Sequence, residues 1–251
     1  MTGTSEPAQI VTAGLLVIGD EILSGRTKDK NIGYIAEYLT TIGIELKEVR
    51  VVADEEAAIV EALNALKSRY CYVFTTGGIG PTHDDITADA VAKAFGVSID
   101  HHPEAVALLR ARFGGAELNQ ARMRMARIPA GGELIRNKVS TAPGFRIGNV
   151  FVMAGVPTIM QAMLDFVAPT LKTGAKMLAE TLRADAREGD IGGPLADIAK
   201  AHPETMIGSY PFFDDKRGPN TNIVVRSRDP ARLAAAKAAV ETMLAKVREA
   251  L

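Results

Sequence analysis

The residues best suited to chemistry run from 75 to 87, Thr-Thr-Gly-Gly-Ile-Gly-Pro-Thr-His-Asp-Asp-Ile-Thr. An apolar stretch leads into three glycines (Gly77, Gly78, Gly80), and an acidic pair, Asp84 and Asp85, stands where a helix is due to begin. Glycines let backbone N–H groups approach an anion closely, and a helix N-terminus adds partial positive charge. Thr76, Gly77, Gly78, Gly80 and Thr82 are therefore candidate phosphate-binding residues. Of the two aspartates, one can cap the helix and the other can hold a hard cation bridging phosphate oxygens. The plainer alternative is a glycine turn followed by an ordinary aspartate cap, and glycine turns are common.

Two more acidic groups fall at expected strand ends. Gly-Asp-Glu-Ile-Leu-Ser-Gly at 19–25 follows the first apolar run, with Asp29 and Asn31 shortly after, and Asp54 follows the second. On a parallel sheet Asp20, Glu21 and Asp54 can converge with Asp85 on one edge, and such a set repels itself unless a divalent cation or a basic substrate lies among them. Singly, each is more simply a helix cap or a solvated turn; together they point to a site. Asn31, Thr82 and Ser24 are unranked candidates for positioning a sugar or a water.

Arg110, Arg112, Arg122, Arg124 and Arg127 have only Glu117 among them as counter-charge, and with Arg136 and Lys138 they can form a basic wall for phosphates. A solvated helix face or subunit contact explains them equally well. Residues 137–145, Asn-Lys-Val-Ser-Thr-Ala-Pro-Gly-Phe, read either as a loop closing over a ligand or as a hairpin connection. None of the four histidines has metal-ligand spacing; His83, inside the glycine–acid loop, is the one to test. Met123, Met125, Met153, Met160 and Met163 read as core filler.

Elements that would position these residues follow from periodicity. Residues 15–18, 44–52, 71–76 and 150–153 read as strands, with 97–99 a shorter one. Helices are expected from Ile32, Ile35, Ala36 and Leu39, from Ile59, Leu63 and Leu66, and over about 86–95, 103–113 and 158–170. Crossover connections of this length imply a three-layer α/β/α domain with a mostly parallel sheet. From about 175 the rhythm becomes β-α-β-β-α: strands near 177–183, 206–212 and 221–226, a helix at 195–201, and a last helix capped by Asp229 with Pro230 in its first turn. The expected division is a main domain at 10–172 and a small α+β domain at 175–251.

The 251 residues are 47% apolar and 24% charged, as in ordinary globular chains. Lys plus Arg number 29 against 30 Asp plus Glu, which supplies no global attraction to nucleic acid or an anionic membrane. The absence of Trp disfavours base-stacking single-strand binders. A lone cysteine, Cys71, excludes an internal disulfide framework and suits a reducing cytoplasm. Residues 1–9 have no basic segment and the apolar run at 15–18 is cut by Asp20 and Glu21, so neither a signal peptide nor a membrane span is expected.

In combination these motifs resemble the molybdopterin-binding (MoaB/MogA-like) fold family, in particular the N-terminal region of the competence/damage-inducible protein A (CinA) branch and the related domain of eukaryotic FAD synthases. The opening at 19–25 with Asp29 and Asn31, the loop at 76–87, Thr-Ala-Pro-Gly-Phe at 141–145 and Met-Ala-Gly-Val-Pro at 153–157 are similar to the family's motifs in order and type. Gly-Ser-Tyr-Pro at 208–211 is similar to an element of the CinA and FAD synthase branch. Ala154 stands where the family usually has Pro, and Ser140 where it often has Gly.

The resemblance implies two chemistries with Asp54 and Asp85 as the essential aspartates. One is a metal-dependent pyrophosphohydrolase of ADP-ribose- or FAD-like dinucleotides using Mg²⁺, Mn²⁺ or Co²⁺; the other is molybdopterin binding and adenylylation. A non-catalytic nucleotide- or pterin-binding protein is the third reading. On the hydrolase reading Asp54 and Asp85 are the catalytic and metal-holding pair, with Asp20, Glu21, Ser24, Asn31, Thr76, Gly77, Gly78, Gly80, Thr82 and Asp84 around the substrate. No Nudix signature occurs, so that reading rests on the aspartates alone. The resemblance also implies homo-oligomers. The amidase segment of long CinA proteins is not matched, so amidase activity is expected to be absent.

Overall fold

The computed structural model describes residues 10–114 and 118–250. Segment 1–9 and Glu117 lie outside them. Contacts divide the chain between Gly174 and Ala175 into two units.

The larger unit is organised by β1 (Val11–Ile18), whose side chains alternate between two cores. Leu16 and Ile18 join one cluster; Leu15 and Val17 join the other. The strand is apolar throughout because both of its faces are covered. β1 pairs in parallel with β2 (Ile44–Val52) on one side and β3 (Tyr72–Thr76) on the other, and β3 pairs in parallel with β8 (Val150–Met153). Two short strands extend this edge antiparallel, β7 (Gly144–Ile147) on β8 and β6 (Glu133–Ile135) on β7. The sheet order is β2-β1-β3-β8-β7-β6.

The first core takes its helical residues from α3 (Glu56–Arg69), α4 (Thr87–Phe95) and α5 (Pro103–Arg112); the second takes them from α2 (Asn31–Thr41) and α7 (Pro157–Val167). These are the two helical layers of an α/β/α sandwich. A single turn, α1 (Asp20–Leu23), follows β1, and a 3₁₀ turn (Ala168–Thr170) ends α7. The expected strand at 97–99 is displaced to β4 (Ile99–His101), which pairs with β5 (Arg127–Pro129) in a separate ribbon outside the main sheet. Between them stands α6 (Gln120–Arg124), whose Asn119 side chain accepts from the Arg122 N–H.

The smaller unit has three antiparallel strands in the order β10-β11-β9, with β9 at Leu178–Arg183, β10 at Met206–Asp214 and β11 at Gly218–Ser227. Ile223 and Val225 of β11 pack with Ile191 of α8 (Glu188–Ala201) and Val240 and Leu244 of α9 (Pro230–Ala250). Asp229 caps α9 by accepting from Ala231 and Arg232 at 2.8 and 3.2 Å. Among the described residues no helix is long and apolar enough to cross a membrane.

Candidate functional site

β3 ends at Thr76 and the chain turns at once through Gly77 and Gly78, with φ of 103° and 65°. A Cβ on Gly77 would fall 2.1 Å from the Ile18 carbonyl oxygen, and one on Gly78 would fall 2.1 Å from Thr87 Oγ1. Only glycine fits either position. Thr87 fastens the turn to α4: its N–H donates to the Gly78 carbonyl at 3.0 Å and its hydroxyl to the Gly77 carbonyl at 3.0 Å.

Asp85 closes the remainder of the loop. Its carboxylate accepts from the Gly80 N–H at 2.6 Å, from the Thr82 N–H at 2.8 Å and from the Thr82 hydroxyl. The sequence expectation that Asp84 or Asp85 caps α4 is thereby corrected. The residue before the helix is Ile86, which makes no side-chain cap bond, because Asp85 is committed to the loop and Thr87 anchors the helix start. Gly80, expected to offer its N–H to a phosphate, gives it to Asp85 instead. Among the described residues the N–H groups of Gly78 and Ile79 meet no protein acceptor, which leaves them available to an anion.

On the neighbouring strand ends, Asp54 accepts from the Asp20 N–H at 2.9 Å while the Asp54 N–H donates to the Asp20 carboxylate at 3.4 Å. Partial burial pushes the Asp54 carboxyl above the ordinary aspartate range; the charges of Asp20, Glu21 and Asp84 add to this, against the lowering effect of the Asp20 N–H. The charges that bear on Asp54 are therefore those of Asp20, Glu21 and Asp84, while Asp85 lines a cleft together with Glu21. Among the described residues no group of three or more His, Cys, Asp or Glu is arranged to hold a metal ion. A hard cation here would draw at most one or two ligands from these carboxylates and the rest from phosphate oxygens and water.

Asp29 begins α2 by accepting from the N–H groups of Asn31 and Ile32 at 3.0 and 2.7 Å. Asn31, 4% exposed, donates from Nδ2 to the Gly155 carbonyl at 2.8 Å, and its Oδ1 has no partner.

Two adjoining clefts open at these strand ends. The larger, about 520 Å³, is lined by Gly77, Gly78, Gly80, Asp85 and, opposite, Ser140 and Pro143. The smaller, about 220 Å³, is lined by Asn31, Thr76, Lys28 and Lys30. Glu21, Thr27, Gly155 and Pro157 belong to both, so the clefts meet there. Of the sequence candidates, Asp20, Ser24, Asp54, Thr82 and Asp84 line neither. Of the expected basic wall, Arg124 and Arg127 line a small pocket against Gly78, Gly80 and Asp85, and several of the wall's members already have protein partners. Arg124 donates to the carbonyls of Thr82 and His83 at 2.9 and 3.3 Å, Arg127 pairs with Asp89 at 2.6 Å, Arg136 pairs with Glu104, and Arg122 stacks on Phe113. His83 is almost wholly exposed and lines neither cleft.

Residues 14–173 match the family described as "Probable molybdopterin binding domain". The chain belongs to that family. Residues 176–249 match the "FAD synthase, middle domain" family. A probable FAD synthase of Caenorhabditis briggsae is 29% identical over 95% of this chain, which spans about half of that relative's length (50%). A protein of Aeropyrum pernix is 31% identical over 94% of this chain and 92% of its own. The crystal structure of a CinA of unknown function from Thermoplasma acidophilum covers 64% of this chain and 98% of its own, at 33% identity and a TM-score of 0.61.

In this molybdopterin-binding domain, Thr27, Lys28, Lys30 and Ile79 line the clefts without having been singled out in the sequence. Lys28 and Lys30 flank Asp29 inside the first motif, and that adjacency was the available signal. Met125 and Met163, read as core, face the larger cleft, although Met163 is only 1% exposed. The 137–145 segment is the hairpin connection between β6 and β7, and part of it lines the larger cleft. Asn137 ties it into a turn, donating to Ala142 and accepting from Val139 and Ser140, while Ser140, Ala142 and Pro143 line the cleft and Gly144 starts β7.

Proposed function

We propose that the domain binds a two-headed nucleotide and cleaves its pyrophosphate, with ADP-ribose- or FAD-like molecules as the substrate class. The observation that carries this reading is the pair of clefts meeting at Glu21, Thr27, Gly155 and Pro157 beside the glycine turn. One part of the ligand occupies the larger cleft, the other occupies the smaller, and the pyrophosphate lies at the junction. The free N–H groups of Gly78 and Ile79 hold phosphate oxygens where negative charge builds as the bridging P–O bond breaks. Water attacks one phosphorus, the bridging oxygen leaves with the other, and two phosphomonoesters result.

Glu21 at the junction, with Asp54, on which the Glu21 charge acts, would hold a divalent cation (Mg²⁺, Mn²⁺ or Co²⁺), which would supply charge neutralisation on the phosphates. Asp85 acts one step away as a positioning residue that fixes the loop. Near-complete coverage of the chain by a probable FAD synthase relative, with the second family match, supports a dinucleotide over other anions.

Steady-state ADP-ribose hydrolysis by the wild type, Glu21→Gln and Asp54→Asn, with each metal in turn, tests this reading. Turnover by either variant should fall by about two orders of magnitude or more, with smaller changes in KM, because the cation matters most once charge develops. Equal rates in all three proteins contradict it. The family's description favours a second reading, molybdopterin binding; tight pterin binding with no hydrolysis would select it.

A further inference from the structure

Arg136 and Lys138, two members of the basic set in the sequence, line neither strand-end cleft. Both line a separate cavity of about 550 Å³ in the larger unit, walled on its helical side by Leu108 of α5 and by Ala162 and Phe166 of α7. Ala162 and Phe166 are four residues apart and so share a helix face, and the Phe166 ring is 48% exposed. A concave space of this size, apolar with a few convergent polar groups, is of the kind that takes small molecules.

The polar groups of the cavity have bonding capacity to spare. Among the described residues, Lys138 and the Thr141 hydroxyl have no hydrogen-bond or ion-pair partner. Arg136 gives Nη2 to Glu104, and its other N–H groups meet no acceptor among those residues. Asp165 is the one acid of the lining, and its charge bears on Tyr38. Two cations against one acid, facing apolar helix surface, fit an amphipathic anion. A carboxylate head meets Lys138, Thr141 and the Arg136 fork, and a flat apolar body lies against Phe166 and Leu108.

The loop that supplies these cations also borders the larger cleft. Lys138 and Thr141 line the second cavity, whereas Ser140, Ala142 and Pro143 line the cleft. The change of side falls at Thr141, whose φ of 66° lies in the left-handed region, uncommon for a β-branched residue. Asn137 holds the loop together as one body. It accepts from the N–H groups of Val139 and Ser140 at 3.1 and 2.8 Å and donates to the Ala142 carbonyl at 2.7 Å. A molecule seated on Lys138 and Thr141 therefore bears on Ser140 and Ala142 as well.

We propose that this cavity is a second ligand site, for an aromatic carboxylate, and that its occupant sets the position of the 137–143 loop at the edge of the larger cleft. This reaches beyond the pyrophosphate reading and does not depend on it.

The experiment is calorimetric titration of the full chain with 2-naphthoate and its neutral analogue 2-naphthamide, using wild type, Lys138→Gln and Ala162→Phe, with thermal melts and light scattering of each. Amide spectra of the ¹⁵N-labelled wild type are followed through the naphthoate titration. Naphthoate should bind wild type saturably at one site per chain. Lys138→Gln, on an exposed side chain, should weaken it about 3- to 10-fold, and naphthamide should bind wild type and this variant equally. Ala162→Phe sets a ring into the cavity and should abolish binding with Tm unchanged or raised. The Ser140 and Ala142 amides should shift along the same saturation curve as Thr141. Absence of saturable binding to wild type, or equal naphthoate binding by all three proteins, overturns the site. Shifts at Gly78 and Ile79 with none at 138–141 place the probe in the larger cleft and also overturn it. Shifts that stay on α5 and α7 overturn the link to the loop. A smaller particle for Ala162→Phe, with no probe bound by wild type, assigns the cavity to a contact between copies of the chain instead. No arm uses a nucleotide, so each of these failures leaves the pyrophosphate reading to its own test.

Discussion

Asp54 stands where burial and three acidic neighbours work against its own charge, and this couples stability to function. Its carboxyl is raised in the folded protein, so its favourable contribution is complete below the ordinary aspartate value of 3.8 and is lost as pH rises through the raised value. At neutral pH the ionised side chain is thus a net cost to the fold. Asp54→Asn keeps an oxygen to accept from the Asp20 N–H and removes that cost. We expect a higher Tm for Asp54→Asn at pH 7 than for wild type, with the difference shrinking toward pH 4, and a loss of turnover. Scanning calorimetry across that range checks the sign; a lower Tm at pH 7 would contradict it. At this scale the sequence displayed the acidic residues but not their division of labour. Asp84 and Asp85 are adjacent, and only the folded loop shows that Asp85 turns inward to Gly80 and Thr82 while the charge of Asp84 acts on Asp54.

The glycine turn is the element on which the site depends. Gly77→Ala places a Cβ against the Ile18 carbonyl at an unfavourable φ, so the turn must move or β1 must shift. A loss of about 2–4 kcal/mol in urea unfolding is expected, together with weakened anion binding; a loss below about 0.5 kcal/mol would mean that the turn relaxes freely. A second prediction belongs to the strand–helix clamp of β2 and α3. Glu48 accepts from Tyr70 and Arg69 at 2.7 and 2.8 Å and from Arg50 on its own strand, and its carboxyl is pulled down to about 2. Stability from this clamp is present above the ordinary glutamate value of 4.5 and is lost as pH falls toward 2, so Glu48→Gln should narrow the stability gap between pH 5 and pH 3. The clamp is solvent-facing, which keeps the effect small and salt-sensitive; an unchanged pH profile would count against it.

Strands buried on both faces and long amphipathic helices were legible because their periodicity reports directly on packing. α8 was foreseen only from 195, since Gly189, Gly192, Gly193 and Pro194 suppress local helix preference, whereas burial of Ile191 and Leu195 sustains the helix from 188. β6 and β7 were missed because each has only three or four residues, too few to show a period.

For the whole molecule, the order of elements was enough to separate a parallel three-layer unit from a small β-α-β-β-α unit, because crossover lengths dictate strand direction. Edges and ribbons, which depend on long-range pairing, were not visible. Association is expected at this scale too: we expect a homo-oligomer, since a unit as short as Ala175–Leu251 has a modest core of its own. Light scattering should give a particle larger than the 26.7 kDa chain at micromolar concentration, and a monomer would contradict this.

The central proposal is cleavage of a pyrophosphate at the junction of the two clefts. Phosphorus NMR of ADP-ribose with the wild-type chain and Mg²⁺, Mn²⁺ or Co²⁺ in turn tests it most directly, provided readout for the paramagnetic metals follows their removal. The expected result is loss of the diphosphate resonances and equal growth of two phosphomonoester signals, AMP and ribose 5-phosphate. Diphosphate signals that persist with every metal, while titration shows the nucleotide bound, would contradict it.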